Sequence, residues 1–426
     1  MNLRRLFLLP ALAALPLAIS PSFAAEHDRF AIVGARVFDG ENVLPRATVL
    51  VEGGKILAVG PEVKVPAGVP AIDGAGKTLL PGLIDSHAHP SDDALSRALF
   101  FGVTTELCMY CDPAWDRARR EEQARDGAPG RADLRSAGTL ATAPGGHGTQ
   151  GGATIPTVGK PEDAAAWVAA RLTEGSDFIK IAYEDGATYA NKLPPLDPAT
   201  LRALVEAAHA KGKLAVVHVS TEQRATEALE AGADGLVHVF GDRAPGPAFP
   251  KLAREKKAFV VPTLTVLESV SGVPSGKSLV ADSRLASYIA KPEAANLESS
   301  LAGFGNGQTR MEHATAAVRA LRDAGVPILA GTDAGNPGTA HGLSLHRELE
   351  MLVQAGLSPI AALAAATSAP AKAFDLTDRG RIAPGRRADL LLVEGDPTVD
   401  VLATRAIAGV WKLGVALERK PGASAP

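Results

Sequence analysis

From residue 83 to residue 333 the chain repeats one unit, a short apolar run that reads as a strand followed by a longer stretch with helix signals. The runs fall at residues 83–89, 103–109, 137–142, 178–183, 214–219, 236–240, 259–265 and 328–333. Apolar runs of this kind suit strands buried on both faces. The clearest helix covers residues 197–211: Asp197 is its cap, Pro198 its first residue, Leu201, Leu204, Val205 and Ala208 its apolar face, and Gly212 its stop. Residues 161–174, 221–231 and 310–324 follow the same pattern. Eight strand–helix units in succession predict a (β/α)8 TIM-like barrel.

The flanks have a different period. FAIVGARVFDG (30–40) and ATVLVEGGKILAVGP (47–61) before the barrel, and RIAPGRRADLLLVEGDP (381–397) and RAIAGVWKLGVAL (405–417) after it, are short alternating strands broken by glycine. Neither flank alone has enough strands to cover a core, so residues 25–80 and 372–420 are expected to meet as one small β-sandwich around a barrel of residues 81–371. The connection at 268–309 is too long for a plain barrel loop and reads as a lid or binding element.

The N-terminus joins Arg4 and Arg5 to an apolar stretch and then to small residues at Ser22, Ala24 and Ala25, the pattern of a signal peptide cut after residue 24. It resembles a twin-arginine signal in part, and the mature protein is expected in the periplasm or secreted. The formal charge of −3 becomes more negative once those arginines are removed, which argues against nucleic acid or an anionic membrane as partner. A small molecule is the expected partner, with homo-oligomerisation open. The two cysteines, Cys108 and Cys111, leave no second pair for a zinc cluster, so a local disulfide is expected in an exported chain.

In such a barrel the chemistry gathers where strands end at the C-terminal face. Strand one ends in Ser86-His87-Ala88-His89, strand four carries Lys180, strand five ends at His218, strand six at His238 and strand eight at Thr332-Asp333. His87 and His89 are two residues apart, so both imidazoles point the same way. A lone histidine in an apolar run is more often a satisfied core residue. Four at matching strand ends, in a chain with ten, are better read as ligands. With Asp333 they form a nitrogen and oxygen set suited to zinc, with manganese, iron, cobalt or nickel as alternatives.

Lys180 interrupts the apolar run DFIKIAYED. A buried ammonium beside metal ions would be repelled, whereas the neutral amine can add carbon dioxide and become a carbamate that bridges two cations. The alternative is a buried stem whose head reaches the barrel mouth to bind a substrate anion.

PGLIDSHAH, the strand-four lysine, the two later strand-end histidines, AGTDAG and the closing GRIAPGRRADLLLVEGDP together resemble the amidohydrolase superfamily, in its imidazolonepropionase-like and Xaa-Pro-dipeptidase-like branch. The resemblance implies a binuclear centre: His87 and His89 on the buried metal, His218 and His238 on the exposed one, carboxylated Lys180 between them, and Asp333 as ligand and proton shuttle. It implies amide cleavage by metal-activated hydroxide, with Asp333 as base and then acid. His147 in PGGHGTQGG and Tyr183 are further catalytic candidates, and His147, Tyr183 and His341 are candidate substrate contacts. The expected substrate is a dipeptide or N-acyl amino acid; a cyclic amide, lactone or aromatic amide, with one metal, is the alternative.

Overall fold

The computed structural model describes residues 29–150, 152 and 154–421, so the expected leader at 1–24 lies outside the described residues. Five strands come first: β1 (Arg29–Phe38), β2 (Val43–Glu52), β3 (Lys55–Gly60), β4 (Ala71–Asp73) and β5 (Lys77–Pro81). The barrel strands are β6 (Leu83–Ala88), β7 (Val103–Cys108), β8 (Asp133–Ser136), β9 (Ile179–Ala182), β10 (Ala215–His218), β11 (Gly235–Val237) and β12 (Phe259–Val261). The chain ends with β13 (Leu390–Glu394), β14 (Ile407–Lys412) and β15 (Val415–Ala416).

β6, β7 and β8 pair in parallel, as do β9 to β12 in sequence order. Nearly every residue of these strands is buried, in keeping with helices outside and packed side chains inside. Two extended segments join the sheets. Ala141 bridges Ile181, its N–H donating to Lys180 O at 2.8 Å, and Ile328 and Ala334 bridge Val260 and Ala88 on either side of the seam.

Regular pairing departs from the sequence reading at two strands. The third was expected at residues 137–142, but its ladder lies at β8, because Gly138 (φ 62°) breaks the run and leaves a single bridge at Ala141. The eighth, expected at 328–333, is extended but makes only isolated bridges. Gly331 packs so closely that a Cβ there would lie 2.8 Å from His87 N, and Asp333 takes φ 56°, a left-handed conformation rare for a side-chain-bearing residue.

The flanks meet as expected. They form one eight-stranded mixed sheet in the order β15-β14-β13-β5-β1-β2-β3, with β4 on β1. The sheet curls back on itself where Lys55 bridges Arg387, around a core that includes Phe30, Ile32, Val49, Leu390 and Trp411. Buried Asp133 of β8 pins this sheet to the barrel: its Oδ1 lies 2.6 Å from Lys412 Nζ and its Oδ2 2.6 Å from Arg387 Nη1, with Arg379 as third partner. Burial pushes the Asp133 carboxyl up, but the three cations outweigh it and hold it at about 2.

Helix Pro198–His209 shows how local chemistry sets the scaffold. Asp197 Oδ1 accepts from Ala199 N at 2.9 Å and Thr200 N at 3.0 Å, and Leu201, Leu204, Val205 and Ala208 are buried. The long connection holds short helices, Lys277–Val280 and Lys291–Leu297, whose Leu279 and Leu297 cluster with Phe100 and Phe101. Among the described residues no helix is long and apolar enough to cross a membrane.

Candidate active site

Six side chains expected as ligands, His87, His89, Lys180, His218, His238 and Asp333, line one cavity of about 400 Å³ at the strand ends. Asp333 Oδ1 is 2.8 Å from His89 Nε2 and 3.4 Å from His87 Nε2, and its Oδ2 is 3.9 Å from His238 Nε2. Ligand atoms of His87, His238 and Asp333 lie within 4.8 Å of one another.

The hydrogen-bond partners fix which ring nitrogens are free. His89 Nδ1 donates to Tyr110 O at 3.1 Å, leaving Nε2 as its lone-pair atom. Thr263 Oγ1 donates to Pro262 O, so it accepts from His238 Nδ1 and frees His238 Nε2. His218 Nε2 faces the Tyr189 hydroxyl at 3.0 Å and Glu184 Oε2 at 3.4 Å; with Nε2 as the donor toward these oxygens, Nδ1 carries the lone pair. In that tautomer His238 Nε2 and His218 Nδ1, 3.1 Å apart, face each other lone pair to lone pair. Asp333 Oδ1 and His87 Nδ1 are buried with no hydrogen-bond partner. A cation resolves each conflict, so the donor set fits metal ions.

Burial and neighbouring charge agree with this. His87, His218 and His238 are held neutral, first by burial and then by nearby cationic or imidazole groups, with His218 lowered to about 3. Lys180 is 2% exposed, and burial brings its amine down to about 7, partly opposed by Asp333. Burial would raise Asp333, but His87 and His89 hold it well below the usual carboxylate range. Asp85 accepts from His87 N at 3.1 Å, Thr332 N at 3.0 Å and Thr332 Oγ1 at 2.6 Å, locking strand one to the segment that bears Asp333.

His147 and His341 also line the cavity. The His147 ring lies 4.2 Å from that of His218, and burial holds it well below the ordinary imidazole value. His341 Nδ1 sits 3.0 Å from buried Glu106 Oε1. Burial disfavours the His341 cation, yet Glu106 prevails and raises its pKa.

Tyr183 does not join them. Its hydroxyl turns away, 2.6 Å from Glu227 Oε2 and 2.8 Å from Arg224 Nη1. The tyrosine in the cavity is Tyr189. Strand alternation held the signal: Tyr183 is three residues past Lys180 and therefore on the opposite face. Glu184 and Thr263 were also missed, since each acts through a histidine contacted only in the folded chain.

Comparison with known proteins identifies the family and the fold. Residues 78–417 match the model of the amidohydrolase family, and residues 29–79 that of the NagA composite domain. The chain belongs to the amidohydrolase family and is a hydrolase of that class. It is 28% identical to an imidazolonepropionase of Cereibacter sphaeroides over 90% of this chain and 95% of the relative. An imidazolonepropionase of Deinococcus radiodurans is likewise 28% identical, over 88% and 93%. Among solved structures, a putative prolidase from Bifidobacterium longum superposes with TM-score 0.73 at 25% identity, covering 93% of this chain and 97% of that one. A Xaa-Pro dipeptidase with bound methionine gives TM-score 0.72 at 22% identity, covering 92% and 100%, and shares the fold.

Proposed function

We propose that the protein hydrolyses an amide bond of a small molecule at a centre of two divalent metal ions, zinc foremost, with Lys180 carboxylated. The observation that carries this is the gathering of four histidines and Asp333 in one cavity with buried Lys180, where His238 Nε2 and His218 Nδ1 approach to 3.1 Å. When bound, the metals supply Lewis-acid activation of water and polarisation of the carbonyl. The chain supplies the rest. His89, His218 and His238 would bind through the nitrogens their partners leave free and His87 through Nε2, which faces Asp333, and the neutral Lys180 amine is the form that captures carbon dioxide. Asp333 takes a proton from the attacking water and returns it to the leaving nitrogen. Tyr189, whose pKa burial raises well above that of a free phenol, stays protonated and donates its O–H to the carbonyl oxygen, with His147 beside it.

The test is metal analysis of the purified chain and of Lys180→Ala. The intact protein should carry two metals per chain, show a mass increment equal to carbon dioxide at Lys180, and lose activity on chelation. The variant should lose at least one metal and about 10²-fold or more in kcat, in part restored by short-chain carboxylic acids. One metal and an indifferent Lys180 would remove the two-metal reading.

We also infer export. The leader pattern supports it, and so does the disulfide between Cys108 and Cys111. N-terminal sequencing of protein recovered from the periplasm should begin at Ala25; a retained Met1 would exclude cleavage.

A further inference from the structure

Beyond the ligands the cavity is walled by Val266, Val270, Leu301 and Phe304, from helix Leu264–Val270 and the long connection that follows it. Phe304 is 38% exposed, a large apolar side chain left open to the solvent. Its ring lies 4.6 Å from that of Tyr189, whose hydroxyl is 3.0 Å from His218 Nε2. One aromatic ring therefore links the apolar wall to the ligand cluster.

The wall offers no cation. Among the described residues that line the cavity, Lys180 is the only lysine or arginine, and it is buried among the ligands. His341, whose Nδ1 lies 3.0 Å from Glu106, is already answered by that carboxylate. The recess that adjoins the cavity at Ser91 and His341 adds acids, Asp92 and Asp93, while its Arg97 is paired with Glu293. The metal centre faces the carbonyl that reacts, so a carboxylate elsewhere on the substrate would lose its water and gain no counter-charge. An apolar group would instead cover Phe304 and its neighbours.

We propose that the substrate is an uncharged amide carrying an apolar ring or branched alkyl group seated on Val266, Val270, Leu301 and Phe304, rather than the carboxylate-bearing dipeptide or N-acyl amino acid expected from the sequence. This rests on the amide-hydrolase reading above. One water is consumed, the carbon–nitrogen bond breaks, and a carboxylic acid and an amine are released.

The test uses the full zinc-loaded chain and two matched amides, isobutyranilide and its 4-carboxylate. The neutral anilide should be favoured at least about tenfold in kcat/KM. Phe304→Ala should lower kcat/KM for the neutral anilide by about tenfold, mostly through KM, with Phe304→Leu restoring it in part. Val270→Arg should improve the carboxylate member. Equal rates, preference for the carboxylate, or an indifferent Phe304→Ala would each overturn the proposal. Calorimetric binding of the uncleavable ketone analogues, with the amide nitrogen replaced by methylene, separates the two readings. If neither amide is turned over, the proposed cleavage of such amides fails, and tighter binding of the neutral or of the charged ketone still upholds or overturns the apolar, uncharged character of the ligand.

Discussion

Two tyrosines in one loop divide the labour at the end of β9. Tyr189 faces the cavity, so Tyr189→Phe should lower kcat roughly 10²-fold with little change in KM, as expected for the loss of one donor to the carbonyl oxygen. Tyr183→Phe should leave kcat within about threefold but destabilise the fold by about 1 kcal/mol, because Glu227 and Arg224 lose a partner. Steady-state kinetics and thermal unfolding of both variants check the assignment. The sequence reading named Tyr183 alone, for its place just beyond Lys180, although strand parity sets it on the opposite face. His346 gives a second residue-scale outcome. It is buried between Phe101 O at 2.9 Å and Thr404 Oγ1 at 3.0 Å, and burial lowers its pKa to about 4 against 6.5 unfolded. Between those values the unfolded chain binds the extra proton, so stability is full above pH 6.5 and falls as pH drops toward 4, by about 3 kcal/mol for this group. Denaturant titrations from pH 7 to 4 should show a shallower acid slope in His346→Gln than in the wild type.

At the scale of the element, the turn after β7 does more than connect. Cys108 and Cys111 close it as a disulfide, and between them Tyr110 offers the carbonyl that holds His89 Nδ1. The cross-link thereby orients His89, a ligand of the proposed metal centre. Replacing both cysteines by serine should weaken metal binding by roughly tenfold or more, read by chelator competition, with far-UV circular dichroism unchanged. Unchanged affinity would show that the turn holds its shape unaided. Helix Leu264–Val270 is set in a similar indirect way. The buried Glu348 carboxylate accepts from Leu264 N and Thr265 N, both at 2.9 Å, and so fixes Thr263 against His238. The disulfide was legible in the spacing of Cys108 and Cys111, but its hold on His89 and the support from Glu348 were not, because each of those joins residues from different elements. The capped helix Pro198–His209 was legible, since its signals are neighbours in the chain.

Across the whole molecule, a buried charge cluster is one of the ties between the barrel and the flanking sheet. Asp133 on the barrel answers Lys412, Arg379 and Arg387, all at the junction with the flanking sheet. Asp133→Asn would leave those cations without their shared anion and should destabilise the protein by about 3–5 kcal/mol, seen as a lower midpoint of thermal unfolding, while metal content of the folded fraction persists. The order of strands and helices, the barrel, the joining of the two flanks and the metal-ligand candidates followed from the sequence itself, because period, caps and strand-end position are properties of neighbouring residues. Tertiary structure alone decided which imidazole nitrogens are free, which tyrosine faces the cavity, and that its wall is apolar and without a cation. Those depend on side chains brought side by side from segments far apart in the chain, whose distances no local pattern specifies.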